Sequence, residues 1–365
     1  MIKSAELVTR RRLMAALPGT LMVGVPSHPA LPVLPDFPVL NVAAVPYLNA
    51  AGQQAYRDFL LMDVPRAFAV ASDGHSGAAG AALSPAAARQ QAVAVCGEAG
   101  GRDPRIYAED LAVVWTAPPG PVAGGASILP HPALTRPPGP PNSFGPPPPA
   151  LIATWNYSFA PDTRFFWRGP GTARGLYIWA HGSTADPQGL QPPPHVRAFN
   201  NAGFDIVRFD RVPNADDVER AAGWLRSGIG NLRAMGWRFV VAGGHSRGGW
   251  NVLQMLKTAN LADLAIADSP AAHGVASGFF LSSQTDDLRQ IVASVPQTRT
   301  KLVFIQFSDD PFIGDAQTRV RLIERLRPQL GGLLVIDRPA GFSGHLAAAE
   351  LGFAERFSGA LLALA

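Results

Sequence analysis

One stretch constrains this chain more than any other: residues 238–250, RFVVAGGHSRGGW. A short apolar run, 239–242, leads into Gly243-Gly244-His245-Ser246-Arg247-Gly248, and a helix-compatible segment, 250–257, follows. The pattern is G-x-S-x-G set between a strand and a helix. A serine at the tip of so sharp a turn sits in strained backbone. Side chains two residues before and after it would collide with neighbouring elements, so glycine suits positions 244 and 248. The turn holds the hydroxyl above a sheet, beside the N-terminus of the next helix, where the dipole favours a developing anion. The plainer reading of the same residues is a strand-to-helix turn with an idle serine.

At these residues the chain resembles the α/β-hydrolase superfamily, over roughly residues 165–365. The resemblance implies an α/β fold, with a mostly parallel sheet covered by helices on both faces. It also implies a chain order of serine, acid, histidine for the reacting groups. His345, in Gly341-Phe342-Ser343-Gly344-His345, is the one histidine beyond Lys301, and it lies between the last strand and the last helix. It is the candidate general base. Its plainer role is to cap or pack the last helix. The acid should follow the preceding strand, which runs into Ser308-Asp309-Asp310-Pro311. Family members often place the acid just before a proline or small residue, which favours Asp310 over Asp309. The other aspartate is then expected to cap the turn, and Asp268 is a minor alternative. Oxyanion donors are implied at the backbone of Arg247 and of Ser183, with Gly182 as the alternative to Ser183. His181 and His245 flank the site, and their positions suit loop packing.

The rest of the C-terminal part alternates. Expected strands are 175–180, 205–209, 264–267, 301–307 and 332–336. Expected helices are 194–201, one capped by Asn214 with Val218, Ala222, Leu225, Ile229 and Leu232 at helical spacing, 315–327 before Pro328, and 345–362. Alternating strands and helices imply a parallel sheet with ligands at the carboxyl ends of its strands. Specificity in such a chain falls in 269–300, where a short cap with an apolar pocket is plausible. Phe279 and Phe280 there are expected to be plain core.

The chain has 365 residues, long for one domain, and 47% apolar content, enough for a sizeable core. Residues 44–116 read as a small α+β domain: a helix over 48–61, a strand over 65–71, a glycine-rich turn over 74–80, a helix opened by Ser84-Pro85 and running through Cys96, and a hairpin across Glu109-Asp110. Residues 30–43 read as an extended lead-in. The module resembles a small domain that recurs in exported bacterial proteins. A second cysteine often precedes its Tyr-Ala strand there, and the place near Pro104 has none. Cys96 is the only cysteine, so no intramolecular disulfide can form, and a core role is expected for it. Asp73, His75 and Ser76 read as loop chemistry. Residues 117–150 hold 13 of the 35 prolines and read as a stiff linker. The hydrolase-like domain is then 151–365.

The net charge of +4 sits mostly in residues 1–30, where Lys3, Arg10, Arg11 and Arg12 face only Glu6. The remainder is close to neutral, so charge makes no case for nucleic acid. Thr9-Arg10-Arg11-Arg12-Leu13-Met14 resembles a twin-arginine export signal. The apolar stretch after it, 13–25, is broken by Pro18-Gly19 and too short to span a membrane. Residues 1–30 are therefore expected to be a bacterial export signal, delivering the protein to the periplasm or beyond. A basic N-terminus of a cytosolic protein is the alternative.

No Cys/His cluster has zinc-ligand spacing, and the chemistry implied calls for no metal or organic cofactor. Three functions fit: a serine hydrolase acting on a small ester or acyl substrate, a non-catalytic binding protein whose N-terminal module docks to a cell-envelope partner, and an acyltransferase using the same groups. The full Ser–Asp–His order argues for catalysis. The export reading has its own test. Arg10→Lys with Arg11→Lys should leave the precursor in the cytoplasm on fractionation, and normal delivery of that double variant to the periplasm contradicts it.

Overall fold

The computed structural model describes residues 38–115, 150–184, 190–212, 217–274 and 277–365. The export-signal reading of 1–30, nearly all of the 117–150 linker and the Asn214 cap fall outside them.

The N-terminal module is a four-stranded antiparallel sheet, with β1 (Ala67–Val70), β2 (Ser76–Ala79), β3 (Arg105–Glu109) and β4 (Ala112–Val113) in the order β2-β1-β3-β4. Period-two alternation in β1 sends its side chains to two different cores. Phe68 and Val70 face α1 (Ala50–Leu61), among Tyr56, Phe59 and Tyr107. Ala67 and Ala69 face α2 (Pro85–Glu98), whose own buried residues, Ala88, Ala92 and Cys96, are just as small. Asn49 caps α1 and Ser84 caps α2, each accepting a backbone N–H of the first turn.

Two expectations for this region need correction. Residues 76–79 form a strand, and the turn is confined to the residues before it. Gly77 is there for close packing, since a Cβ at that place would come within 2.4 Å of the α2 backbone. Residues 38–44 are two short 3-10 turns, Pro38–Leu40 and Val42–Ala44, with Val39 buried in the module's core.

The larger sheet has eight strands. They are β5 (Ile152–Ala153), β6 (Tyr157–Pro161), β7 (Gly175–Ala180), β8 (Phe204–Arg211), β9 (Val240–His245), β10 (Leu264–Asp268), β11 (Lys301–Gln306) and β12 (Gly332–Asp337). Their spatial order is β5-β6-β8-β7-β9-β10-β11-β12. The β5–β6 hairpin is antiparallel and every pairing from β8 to β12 is parallel. The central strands are buried along all or nearly all of their length, which is why they read as apolar runs. On one face pack α4 (Val218–Ala234), α5 (Arg247–Met255), α6 (Gly278–Ser294) and α7 (Ala316–Glu324). On the other pack α3 (Pro194–Asn201) and α8 (Leu351–Leu362). This strand order, with helices on both faces and the serine turn after β9, is the α/β-hydrolase fold. The order reverses between β7 and β9, and the carboxyl ends of strands at such a reversal are where open α/β folds hold ligands.

Here too the structure departs from expectation. The β5–β6 hairpin extends the sheet before residue 165. The α4 cap is Asp217, whose side chain accepts the Arg220 N–H. The last helix begins at Leu351, after a 3-10 turn at Ala347–Ala349, so His345 stands on a loop ahead of it. Residues 278–294 form a full helix, α6.

The small module is fastened to α3. Arg66 and Arg197 are both fully buried. The Arg66 guanidinium donates to Asn201 Oδ1 at 3.1 Å, and Asn201 Nδ2 donates to the Leu60 carbonyl at 2.7 Å. Arg197 pairs with Asp63 and lies over the Phe165 ring, 4.0 Å from its centroid. Burial pulls the Arg66 pKa down to about 9, with the Arg197 charge adding to the effect.

Candidate active site

Ser246 ends the turn between β9 and α5 with φ +54° and ψ −119°. A non-glycine residue there is strained by about 1–3 kcal/mol, so its surroundings must hold it. Three backbone hydrogen bonds do so. Ser246 N–H donates to the Asp268 carbonyl at 2.9 Å, and the Ser246 carbonyl accepts from Trp250 at 2.9 Å and Ala271 at 3.1 Å. The flanking glycines answer to space. A Cβ on Gly248 would lie 1.9 Å from the Ala180 carbonyl oxygen, and one on Gly244 would lie 2.4 Å from the Gly248 carbonyl carbon. Both obstacles are backbone, so neither position accepts a side chain. Arg247 occupies the first position of α5, among the N–H groups that a helix does not itself consume.

His345 reaches this turn through a second pairing. Beyond β11 and β12 the chain segments meet again as a single parallel bridge between Ser308 and Ser343. Gly344 N–H donates to the Ser308 carbonyl at 2.7 Å, and Gly344 takes φ +86°, a conformation that favours glycine. The next residue, His345, then puts Nδ1 2.8 Å from Asp310 Oδ2. Asp310 is buried, and its Oδ1 accepts the Phe312 N–H at 2.9 Å. The Phe312 ring packs edge-on against His345, centroid to centroid 4.7 Å. The His345 ring also meets His245, the residue before Ser246, at 4.7 Å between centroids. Asp309 points elsewhere. Its backbone has φ +54°, and its Oδ2 accepts the Ser343 hydroxyl at 2.6 Å.

Asp268 does not meet His345. It is the register partner of His245 across β9 and β10, and its Oδ2 lies 3.1 Å from His245 Nδ1. Its Oδ1 accepts the Ser269 hydroxyl. A second histidine–carboxylate pair therefore stands beside the first. Sequence reasoning missed this pairing, although both residues fall at the ends of adjacent strands. On the loop after β7, a Cβ added to Gly182 would lie 3.3 Å from the Ser246 Cβ and 3.5 Å from His245 Cδ2, so this backbone borders the Ser246 turn. Ser183 follows it and is exposed. His181 is buried, with Nε2 accepting the Arg211 N–H at 3.2 Å and Nδ1 donating to the Gly182 carbonyl at 2.6 Å.

The two phenylalanines of α6 are not core. Phe279 is 75% exposed, and Phe280 is half-buried against His273, 5.1 Å between centroids. They stand on the first turn of a helix whose buried face begins only at Gln284. Cys96 is a buried free thiol, with its pKa raised by burial. Asp73 ties its own turn, accepting N–H groups of His75 and Arg102. Among the described residues no cluster of histidine, cysteine and carboxylate groups could hold a metal ion, and no helix is long and apolar enough to cross a membrane.

No protein-family model matches the chain, and no curated protein matches it. Solved structures similar to it include the esterase Pf2001 of Pyrococcus furiosus, at 15% identity and TM-score 0.40 over 60% of this chain and 98% of that one. Est1E from Butyrivibrio proteoclasticus is similar at 14% identity and TM-score 0.42, over 59% and 97% of the two chains. A monoacylglycerol lipase of Paleococcus ferrophilus is similar at 16% identity and TM-score 0.39, over 53% and 96%. The fold assignment rests on the strand order.

Burial sets a pH response for the folded chain. It pulls the His181 pKa down to about 3, helped by the Arg211 charge, and the His195 pKa down to about 4. Both rings take up protons more readily in the unfolded chain, near pH 6.5. Their contribution to stability is therefore intact above about pH 6.5 and lost as pH falls through that value toward 3–4. Asp205, raised by burial to about 6, works in the opposite sense between about pH 4 and 6. Urea unfolding should show a lower midpoint at pH 4.5 than at pH 7, and His181→Gln should make that fall shallower. A midpoint independent of pH over this range contradicts the assignment of neutral buried rings.

Proposed function

We propose that the chain is a serine hydrolase that cleaves a carboxylic ester, with amide or peptide bonds as the wider range, through an acyl-enzyme on Ser246. The observation that carries this reading is the 2.8 Å contact of His345 Nδ1 with the buried Asp310 carboxylate, with the His345 ring 4.7 Å from that of His245, the residue before a serine in strained backbone at the head of α5. A serine hydroxyl reacts only when a base takes its proton. Asp310 keeps the proton of His345 on Nδ1, which leaves Nε2 as the acceptor for the Ser246 proton. Ser246 Oγ attacks the acyl carbon, and the carbonyl oxygen gains charge. The N–H of Arg247 and the backbone of Ser183 or Gly182 receive that charge. His345, now an imidazolium stabilised by Asp310, returns its proton to the leaving group. Water then repeats the sequence on the acyl-enzyme.

For the place of action we propose the periplasm or beyond, on the strength of residues 9–14 alone, with the N-terminal module available to a cell-envelope partner. The serine is tested first. A fluorophosphonate should label the intact protein and fail on Ser246→Ala, and a folded wild type that stays unlabelled contradicts the reading. The aspartates separate next. Asp310→Asn should remain folded and lose on the order of 10³–10⁴ in turnover with little change in KM. Asp309→Asn should stay active. The reverse result moves the acid to Asp309, and full activity in both variants moves it to another carboxylate, with Asp268 next.

A further inference from the structure

The buried face of α6 reads Gln284, Leu288, Ile291, Val292, spaced i, i+4, i+7, i+8. Leu288, Ile291 and Val292 belong to the main core. Gln284, fully buried, is the polar exception. A primary amide at a core-facing position is costly unless both ends are bonded. Both ends are bonded, and to two different loops. Its Oε1 accepts the Ala272 N–H at 2.8 Å, and its Nε2 donates to the Phe312 carbonyl at 3.2 Å.

Each of those loops holds one of the reacting groups. Next to Ala272, Ala271 donates its N–H to the Ser246 carbonyl. Phe312 itself donates its N–H to Asp310 Oδ1 and packs its ring on His345. A single side chain therefore joins the loop whose Ala271 bonds the serine's turn to the loop whose Phe312 bonds the acid, in each case through the adjacent peptide. The join is backed from both sides. The turn after Phe312 lies on the first turn of α6, where a Cβ on Gly314 would come 2.9 Å from the Leu281 carbonyl oxygen. On α7, the fully buried Arg319 donates to the Pro270 carbonyl, in the same loop as Ala271 and Ala272.

We infer that Gln284 is a positioning residue that fixes the distance between Ser246 and the Asp310–His345 pair, acting through the 270–272 and 310–314 loops. The inference rests on the triad reading above. A glutamine that only anchored α6 would matter for stability and leave the coupling to Asp310 untouched.

A double-mutant cycle separates the two roles. The probe is a fluorophosphonate, and the readouts are the maximal rate of Ser246 labelling and the concentration for half-maximal rate. Gln284→Met removes both hydrogen bonds and nearly conserves volume. It should lower the maximal rate by about ten- to a hundredfold, with little change in the half-saturating concentration. In an Asp310→Asn background the same substitution should cost less than about threefold, because the aligned acid is already lost. Gln284→Asn keeps the amide but is one methylene shorter and cannot span both loops, so it should fall between wild type and Gln284→Met. It completes the cycle by itself should the methionine variant fail to fold. Wild-type rates in both variants, or equal fold-losses with and without Asp310, overturn the inference. An Asp310→Asn protein labelled as fast as wild type overturns the triad reading itself and this inference with it.

Discussion

The left-handed backbone of Ser246 is the constraint on which the rest depends. A serine at φ +54° is stable only where the chain is held on every side. Its N–H is spent on the Asp268 carbonyl, at the end of the neighbouring strand. Its carbonyl receives two donors, from the following helix and from the loop after β10. The space around it is so tight that Gly248 lies directly against the carbonyl of Ala180 on β7. Three adjacent parallel strands, β7, β9 and β10, thus converge on one residue. The fold is in this sense a device for holding a strained turn at the switch point of a sheet.

Two histidine–carboxylate pairs stand at that point, and geometry gives them different characters. His245–Asp268 joins the ends of two strands directly and is fixed by the sheet itself. His345–Asp310 is assembled by loops, through the Ser308–Ser343 bridge and the Phe312 turn. The loop-built pair has freedom that the strand-built pair lacks, so it needs outside support. Phe312 against the ring, Gln284 beneath the turn and the glycine at 344 supply it. The two rings meet at 4.7 Å.

The sequence made the central strands plain because each is buried on both faces and so appears as an apolar run ended by a turn residue. The glycines of the serine turn were equally plain, since backbone obstacles admit nothing larger. His345 could be picked out because no other histidine follows Lys301. Elsewhere the signal failed for physical reasons. The β5–β6 hairpin is short, and β5 lies at the sheet edge. Helix α6 hides its period, since an exposed Phe279 and a buried Gln284 both reverse the usual pattern. Asp309 and Asp310 differ in backbone angle, which composition does not encode, and one residue of register sends their carboxylates to different partners. The pairing of His245 with Asp268 depends on strand register, which no local pattern specifies.

The central claim is that His345, oriented by Asp310, serves Ser246. The most direct measurement is the low-field proton NMR spectrum of the imidazole N–H groups. The account predicts a His345 Nδ1 proton resonance that is present in the wild type and in Asp309→Asn and absent in His345→Ala. It should be displaced in Asp310→Asn, and it should shift when Ser246 is phosphonylated. A His345 resonance indifferent to Asp310 and to modification of Ser246 would contradict it.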